Sequence, residues 1–159
     1  PQATLALVVT NSLSAFTPPG DKERERIQAE RIRSVSAEGR PALEALRIHP
    51  RHAKRLPEDA KAELVADAAG ISLDGVVRSW RVTSPGLHLI HRLGEISAPS
   101  LLVNGTWEKR FQPLRAAAVE AAPAMEIVDL PGGHSINMEA PDGFADAVRA
   151  FLTRHGILS

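Results

Sequence analysis

The sequence predicts an α/β fold: a parallel sheet with helices packed on it and an all-helical insert after its first strand. Short apolar runs typical of buried strands occur at residues 4–10, 99–104 and 125–130. Helical patterns follow the second and third runs, and strands that alternate with helices form parallel sheets. Residues 18–94 contain no convincing strand, so they are predicted to form the insert, with 1–17 and 95–159 as the core.

The composition is that of an ordinary globular domain. The 159 residues are enough to bury a core, and 43% of them are hydrophobic. Nineteen basic residues balance nineteen acidic ones, so no electrostatic field favours nucleic acid or an anionic membrane. The absence of cysteine excludes disulfides and cysteine metal sites. No apolar run approaches a membrane span and none resembles a signal peptide, so a cytoplasmic location is the expectation.

The first strand ends in a loop, and the helical insert follows it. Residues 11–20 contain serine, threonine, proline and glycine, which end the strand. Residues 21–38 form a strongly charged helical pattern, which is interpreted as a solvated helix. Pro57 opens a further helix and Gly70 closes it. Other helices are predicted at residues 42–48, 73–82 and 85–92.

The second part of the core repeats a strand–helix order. Gly105 ends the strand at 99–104, and a helix is predicted at 110–122. The strand at 125–130 leads into a glycine-bent turn. The final helix, at residues 142–155, has an apolar face formed by Phe144, Val148, Phe151 and Leu152.

An acid and a base follow the last two strands. Glu108 lies in Asn104-Gly-Thr-Trp-Glu-Lys-Arg-Phe111, and His134 lies in the turn Pro131-Gly-Gly-His134. Taken alone, they could be an exposed loop acid and a turn histidine bonded to backbone. Their equivalent placement after neighbouring parallel strands predicts that they meet. A carboxylate that accepts from one imidazole nitrogen leaves the other nitrogen as a general base.

These residues lead to a family. Gly105-x-x-Glu108 after a strand, then Gly133-His134 with Asn137, Glu139 and Pro141 before an amphipathic helix, resembles the last third of an α/β-hydrolase. The opening strand is similar to the one that follows the nucleophile helix of that family, and the insert is similar to its cap. The acid loop resembles those of small-molecule ester, lactone and C–C hydrolases. The family order of serine, acid and histidine implies that Glu108 is the acid and His134 the base.

The sequence departs from that family in two respects. The acid is usually aspartate, which leaves Asp129 and Glu139 as lesser alternatives to Glu108, although a structural role near the start of the final helix is expected for Glu139. More seriously, the chain contains no Gly-x-Ser-x-Gly. Gly70-Ile-Ser-Leu-Asp74 has no strand before it, and Ser12 and Ser14 follow a strand but lack the glycines, so none fits a nucleophile elbow.

Other candidate residues have competing interpretations. Trp80 and Arg81 in the cap, together with Trp107 in the acid loop, are candidate substrate contacts, since arginine binds carboxylates bidentately. The favoured alternative is that Trp80 belongs to the apolar core of the cap and that the arginines lie on its surface. The pairs His49/His52 and His88/His91 have a spacing that can bind a metal, but no third ligand is evident, so solvated helix histidines are favoured. No metal and no cofactor are expected.

The resemblance therefore implies one part of an enzyme. The chain is expected to supply the acid, the histidine and the cap of a serine-type hydrolase for a small ester, lactone or C–C substrate. The serine would come from an N-terminal half, present as a separate or cleaved chain in a heterodimer, an expectation that also draws on the lack of an initiator methionine. By itself the chain is expected to associate and to lack esterase activity. The alternatives are a catalytically inactive hydrolase-fold binding protein and a lyase on the same scaffold.

Overall fold

The computed structural model describes residues 3–18 and 20–159. The chain divides into two compact units, a sheet unit of Pro1–Thr17 with Leu89–Ser159 and a helical unit of Pro18–His88. The α-helices in chain order are α1 (Leu13–Phe16), α2 (Lys22–Glu38), α3 (Arg40–Ala45), α4 (Glu58–Gly70), α5 (Leu73–Arg78), α6 (Gln112–Ala121), α7 (Ile136–Glu139) and α8 (Pro141–Arg154).

The sheet unit is built on three parallel strands in the order β1-β2-β3. They are β1 (Leu7–Val9), β2 (Ser100–Gly105) and β3 (Glu126–Leu130). Every residue of the central strand β2 is buried. The predicted α/β class with a parallel sheet is confirmed. The first strand is shorter than the predicted 4–10, because only Leu7–Val9 pair with β2.

Helices cover both faces of the sheet, because successive side chains of a strand point to opposite sides. Leu102 packs with Phe16, Phe111 and Ala118 on the face covered by α1, α6 and a 3-10 helix at Ile90–Glu95. The other face is covered by α7 and α8, and its buried side chains are Leu101, Val103, Ile136 and Phe151. The predicted apolar face of the final helix contributes to this second cluster.

The helical unit has a small apolar core formed by Val35, Ala42 and Leu43. Gly39, with a φ of 71°, separates α2 from α3 in a conformation that favours glycine. The helix predicted at 73–82 ends as an α-helix at Arg78 and continues as a π-helical turn, Ser79–Thr83. No helix among the described residues is long and apolar enough to cross a membrane.

The predicted α-helix at 85–92 is wrong. The chain forms two short 3-10 helices there, Ser84–Gly86 and Ile90–Glu95. Gly86 is a poor helix former, and the chain leaves helical geometry after it, with a ψ of 19° at Leu87, so the two segments stay separate. Two short helices inside predicted loops, α1 and α7, were also not predicted.

The loops that follow β2 and β3 touch through their backbones. A methyl group on Gly105 would lie 2.2 Å from the carbonyl oxygen of Gly133 and 2.7 Å from that of Gly132. The amide of Trp107 donates to the Gly132 carbonyl at 2.8 Å, and the amide of Thr106 donates to the Leu130 carbonyl at 3.0 Å. This contact therefore requires glycine at position 105.

A second contact ties the end of α8 to the beginning of β3. The carboxylate of Glu126 accepts hydrogen bonds from Arg154 and, at 2.7 Å, from His155 Nε2. The His155 ring also packs edge-on against Phe151. The hydrogen bonds from His155 and Arg154 lower the pKa of Glu126. This cluster lies at the opposite end of β3 from the His134 turn.

We expect Gly105→Ala to destabilise the protein by about 1–3 kcal/mol, because the new methyl group meets backbone oxygens that cannot rotate away. Gly70→Ala is the matched control, since nothing lies within 4 Å of a methyl group at the end of α4. It should change the free energy of unfolding by less than about 1 kcal/mol. Urea unfolding followed by circular dichroism measures both. Equal effects at the two glycines would contradict the close contact of the loops.

We expect Glu126→Gln to lower the free energy of unfolding at pH 7 by about 0.5–1 kcal/mol, since partial solvent exposure weakens the ion pair. A carboxylate whose pKa is lowered on folding stabilises the folded state above its unfolded pKa, about 4.3, and loses that contribution as the pH falls further. The difference between the two proteins should therefore shrink as the pH falls below that value. Asp146→Asn, which breaks an exposed pair with Arg149 on α8, should show little difference at pH 7 or at pH 3. A gap that stays constant from pH 7 to pH 3 would be evidence against the ionic contact.

Candidate functional site

Three loops meet at the carboxyl edge of the sheet. Asn11 follows β1, the loop 106–111 follows β2, and the turn 131–135 follows β3. Parallel strands place their carboxyl ends at one edge, where ligands bind in open α/β sheets. The two side chains singled out in the sequence, Glu108 and His134, both lie here.

The structure brings Glu108 and His134 together. The Nδ1 atom of His134 lies 3.7 Å from Oε2 of Glu108, slightly beyond direct hydrogen-bond distance. The Glu108 side chain is 19% exposed, whereas that of His134 is 62% exposed. Because Nδ1 faces the carboxylate, Nε2 is the nitrogen left to exchange a proton with another group. The pair has the orientation that an acid needs in order to orient a general base.

The backbone of the acid loop is held by Gln112, the first residue of α6. Its Nε2 lies 3.1 Å from the Glu108 carbonyl oxygen, 3.2 Å from that of Gly105 and 3.3 Å from Oδ1 of Asn104. The amide of Phe111 donates to the same Glu108 carbonyl at 2.9 Å. The loop therefore forms a tight turn whose geometry depends on one partly buried hydrogen-bond network.

That network continues to Asp129 on β3. The Asn104 side-chain amide donates to Asp129 at 2.7 Å, and Arg115 binds the same carboxylate through two nitrogens at 2.8 and 2.6 Å. Arg115, followed by Asn104, lowers the pKa of Asp129 despite the opposing effect of burial. Asp129 was a lesser alternative to Glu108, and its carboxylate is instead committed to linking α6 with β3.

Glu139 shapes the turn that carries His134. Its two carboxylate oxygens accept from the amides of Gly133 at 2.8 Å and Ser135 at 3.2 Å, the residues on either side of the histidine. The predicted structural role of Glu139 matches these contacts, but the reason is different. The residue is the last of α7 and does not lie at the start of the final helix. Its carboxylate accepts hydrogen bonds from the backbone amides of the turn.

Asn11 joins the acid loop to the His134 turn, and the sequence interpretation missed it. The side chain is 1% exposed. Its Oδ1 accepts from the Gly105 amide at 2.9 Å, and its Nδ2 lies 3.0 Å from the Gly105 carbonyl and 3.5 Å from that of Gly133. The available signal was an asparagine directly after the apolar run at residues 4–10, where a polar side chain can bind the backbone of the neighbouring strand.

The three predicted substrate contacts lie in different settings. Trp107 is 53% exposed and neighbours Glu108 in the acid loop. Trp80 packs against the apolar core of the helical unit, and its carbonyl accepts from Gln28. Arg81 is exposed in the same unit. The packing of Trp80 agrees with the alternative that it belongs to the apolar core of the cap. A substrate role for these three residues stays a prediction.

Two of the serines considered as nucleophiles, Ser72 and Ser12, cap helices. Ser72, in the stretch nearest to a nucleophile motif, caps α5 by accepting from the Gly75 amide at 3.2 Å. It follows helix α4, not a strand. Ser12 caps α1 in the same way, by accepting from Ala15.

The histidines of the helical unit also make local contacts. His49 is buried and accepts from the Arg51 amide, and burial is the main cause of the lowering of its pKa. Nε2 of His52 lies 3.0 Å from the Glu44 carbonyl. In the part of the chain that the structure describes, no three histidine, aspartate or glutamate side chains converge as metal ligands.

Similar proteins are known for almost the whole length of the chain. No protein-family model matches it. A putative 2-succinyl-6-hydroxy-2,4-cyclohexadiene-1-carboxylate synthase from Bacillus subtilis (strain 168) is 26% identical over 162 residues, which cover 96% of this chain and 58% of that protein. MenH from S. aureus superposes with a TM-score of 0.79 at 19% identity, over 96% of this chain and 60% of its own.

An enol-lactonase from Burkholderia xenovorans LB400 superposes with a TM-score of 0.70 at 18% identity, over 93% of this chain and 56% of its own. The chain thus spans little more than half the length of these proteins. The matches cover the sheet, the helices on it and the insert together. They confirm the predicted resemblance, and the chain has the α/β-hydrolase fold, of which it forms a carboxyl-terminal portion.

Proposed function

We propose that this chain supplies the catalytic acid, the catalytic histidine and the cap of a serine-type α/β-hydrolase. The observation that carries the proposal is the orientation of Glu108 toward Nδ1 of His134, at 3.7 Å, on the carboxyl edge of a parallel sheet. Enzymes of this fold place an acid and a histidine at that edge in the same order along the chain.

The proposed chemistry is acyl transfer to water. Nε2 of His134 takes the proton of a serine hydroxyl while the serine oxygen attacks the substrate carbonyl carbon. The imidazolium then gives this proton to the leaving group as the bond to that group breaks. Water attacks the acyl-enzyme with the same assistance, which restores the serine. Glu108, largely shielded from solvent, orients His134 and stabilises its charged form in both steps.

The serine is proposed to come from a complementary N-terminal segment, on a separate or a cleaved chain. The sequence contains no Gly-x-Ser-x-Gly, and the chain covers 58% of its Bacillus subtilis relative. We further propose that the helical unit acts as the cap, with Trp80 and Arg81 as substrate contacts, and that Trp107 contacts the substrate from the acid loop.

The proposed substrate is a small ester, a lactone or a compound cleaved at a C–C bond. The similarity to an enol-lactonase supports the lactone and ester classes. A lyase on the same scaffold is the second candidate, because the relative at 26% identity is named as a synthase rather than a hydrolase. A binding protein without catalysis is the third, because the chain contains no nucleophile motif.

With its complementary segment present, we expect His134→Ala to lower kcat for p-nitrophenyl acetate by about 1,000-fold or more, since the general base is lost. Glu108→Gln should lower kcat by at least about 100-fold, because the amide cannot stabilise the imidazolium. His155→Ala and Glu120→Gln are the matched controls, since neither residue lies at the carboxyl edge, and both should keep kcat within about threefold.

A fluorophosphonate probe separates the candidate functions. The hydrolase should label on the serine of the complementary segment, and His134→Ala should abolish the labelling. A protein that turns over a C–C substrate with unchanged kcat after the serine is removed would be a lyase. Full activity of His134→Ala on every substrate would contradict any catalytic role for the pair.

We expect Glu139→Gln to lower kcat about tenfold with KM changed less than threefold. The substitution keeps the shape of the side chain but replaces one acceptor oxygen with a donor, so the Gly133 or the Ser135 amide loses its partner. The His134 turn then shifts relative to Glu108, and misplacement of a catalytic group on the order of 1 Å has large effects on rate. Steady-state kinetics of the completed enzyme measure the change, with Glu120→Gln as the control. An unchanged kcat would show that the turn holds its shape without Glu139.

A further inference from the structure

Asn11 differs from the other residues of the site because it contacts both the last residue of β2, from which the acid loop leaves, and the His134 turn. Its amide oxygen accepts from the Gly105 amide at 2.9 Å, and its amide nitrogen donates to the Gly105 carbonyl at 3.0 Å. The side-chain amide thus exchanges both bonds with one backbone residue, a pattern that backbone groups of parallel strands do not form. It extends the pairing of β1 with β2 beyond the last paired residues, Val9 and Leu102.

The same side chain reaches the turn after β3. The Asn11 Nδ2 atom lies 3.5 Å from the Gly133 carbonyl, one residue before His134. Gly105 and Gly133 themselves are so close that no side chain fits between them. Asn11 therefore holds both the start of the acid loop and the His134 turn against the end of β1.

We propose that Asn11 is a positioning residue that sets the distance between Glu108 and His134. The inference rests on the proposed function for its kinetic consequences and on the hydrogen bonds alone for its structural ones. Asn11 is 1% exposed, so it acts through the two loops and not by touching the substrate. Its loss leaves the Gly105 amide without its partner and removes one of the donors to the Gly105 carbonyl, which frees the loops to separate.

A double-mutant cycle in the completed enzyme tests the kinetic part, with p-nitrophenyl acetate as the substrate. We expect Asn11→Ala to lower kcat about 10- to 100-fold with KM changed less than threefold. In a Glu108→Gln background the same substitution should lower kcat less than threefold, because there is no longer an acid to position. An equal loss in the two backgrounds would overturn the proposal, since a general loss of stability acts alike on both.

Two further variants keep the cycle interpretable. Asn11→Ser removes the donor that reaches the two carbonyls but leaves a smaller void, so it replaces the alanine variant if that protein does not fold. Met125→Ala removes a buried side chain at the other end of β3 and should lower the melting temperature without changing kcat. A fall in kcat for Met125→Ala as large as that for Asn11→Ala would also overturn the proposal.

Hydrogen–deuterium exchange tests the structural part without any activity. Segments 105–111 and 132–135 should both exchange at least about tenfold faster in Asn11→Ala and be unchanged in Met125→Ala. Faster exchange in only one segment, or in neither, would overturn the coupling. If the completed wild-type protein hydrolyses no ester while both segments loosen, the proposed function fails and the positioning role of Asn11 stands.

Discussion

The geometry of the site depends on hydrogen-bond partners for the backbone N–H and C=O groups at the ends of β2 and β3. Gly105 approaches the carbonyls of Gly132 and Gly133 so closely that even a methyl group is excluded. Loops that pack this tightly bury N–H and C=O groups, and each group left without a partner would cost free energy comparable to a lost hydrogen bond. Side chains from other elements supply those partners, and in doing so they fix the loops that carry Glu108 and His134.

Each of these side chains serves a different part of the edge. Gln112 donates to the Glu108 carbonyl in the acid loop, and Glu139 accepts from the amides on either side of His134. Asn11 links Gly105, where the acid loop begins, to the His134 turn. No buried side-chain nitrogen or oxygen of the described residues lacks a hydrogen-bond partner. This polar network rigidifies its surroundings, because a displacement of either loop breaks several hydrogen bonds.

The same network distinguishes between the carboxylates near the edge. Asp129 is bound by Arg115 and Asn104, and Glu139 accepts two backbone amides. Both carboxylates are therefore occupied, whereas Glu108 faces the imidazole. The choice of Glu108 as the proposed acid follows from which carboxylate remains available to the histidine, not from acid strength.

The sequence by itself determined the fold class, the parallel order of the strands, the apolar face of the final helix and the resemblance to the α/β-hydrolases. It could do so because apolar periodicity and glycine-rich turns involve residues close together in the sequence, so they can be recognised without knowledge of tertiary contacts. It also placed Glu108 and His134 after neighbouring strands, which is a consequence of order along the chain. Only the tertiary structure decided the roles of Asn11, Asn104 and Gln112 and the amides that Glu139 binds, and it overturned the predicted helix at 85–92. Asn11 lies 94 residues from Gly105 and 122 from Gly133, and a hydrogen bond across such a separation leaves no periodicity in the sequence, because it depends on where the sheet brings the chain back.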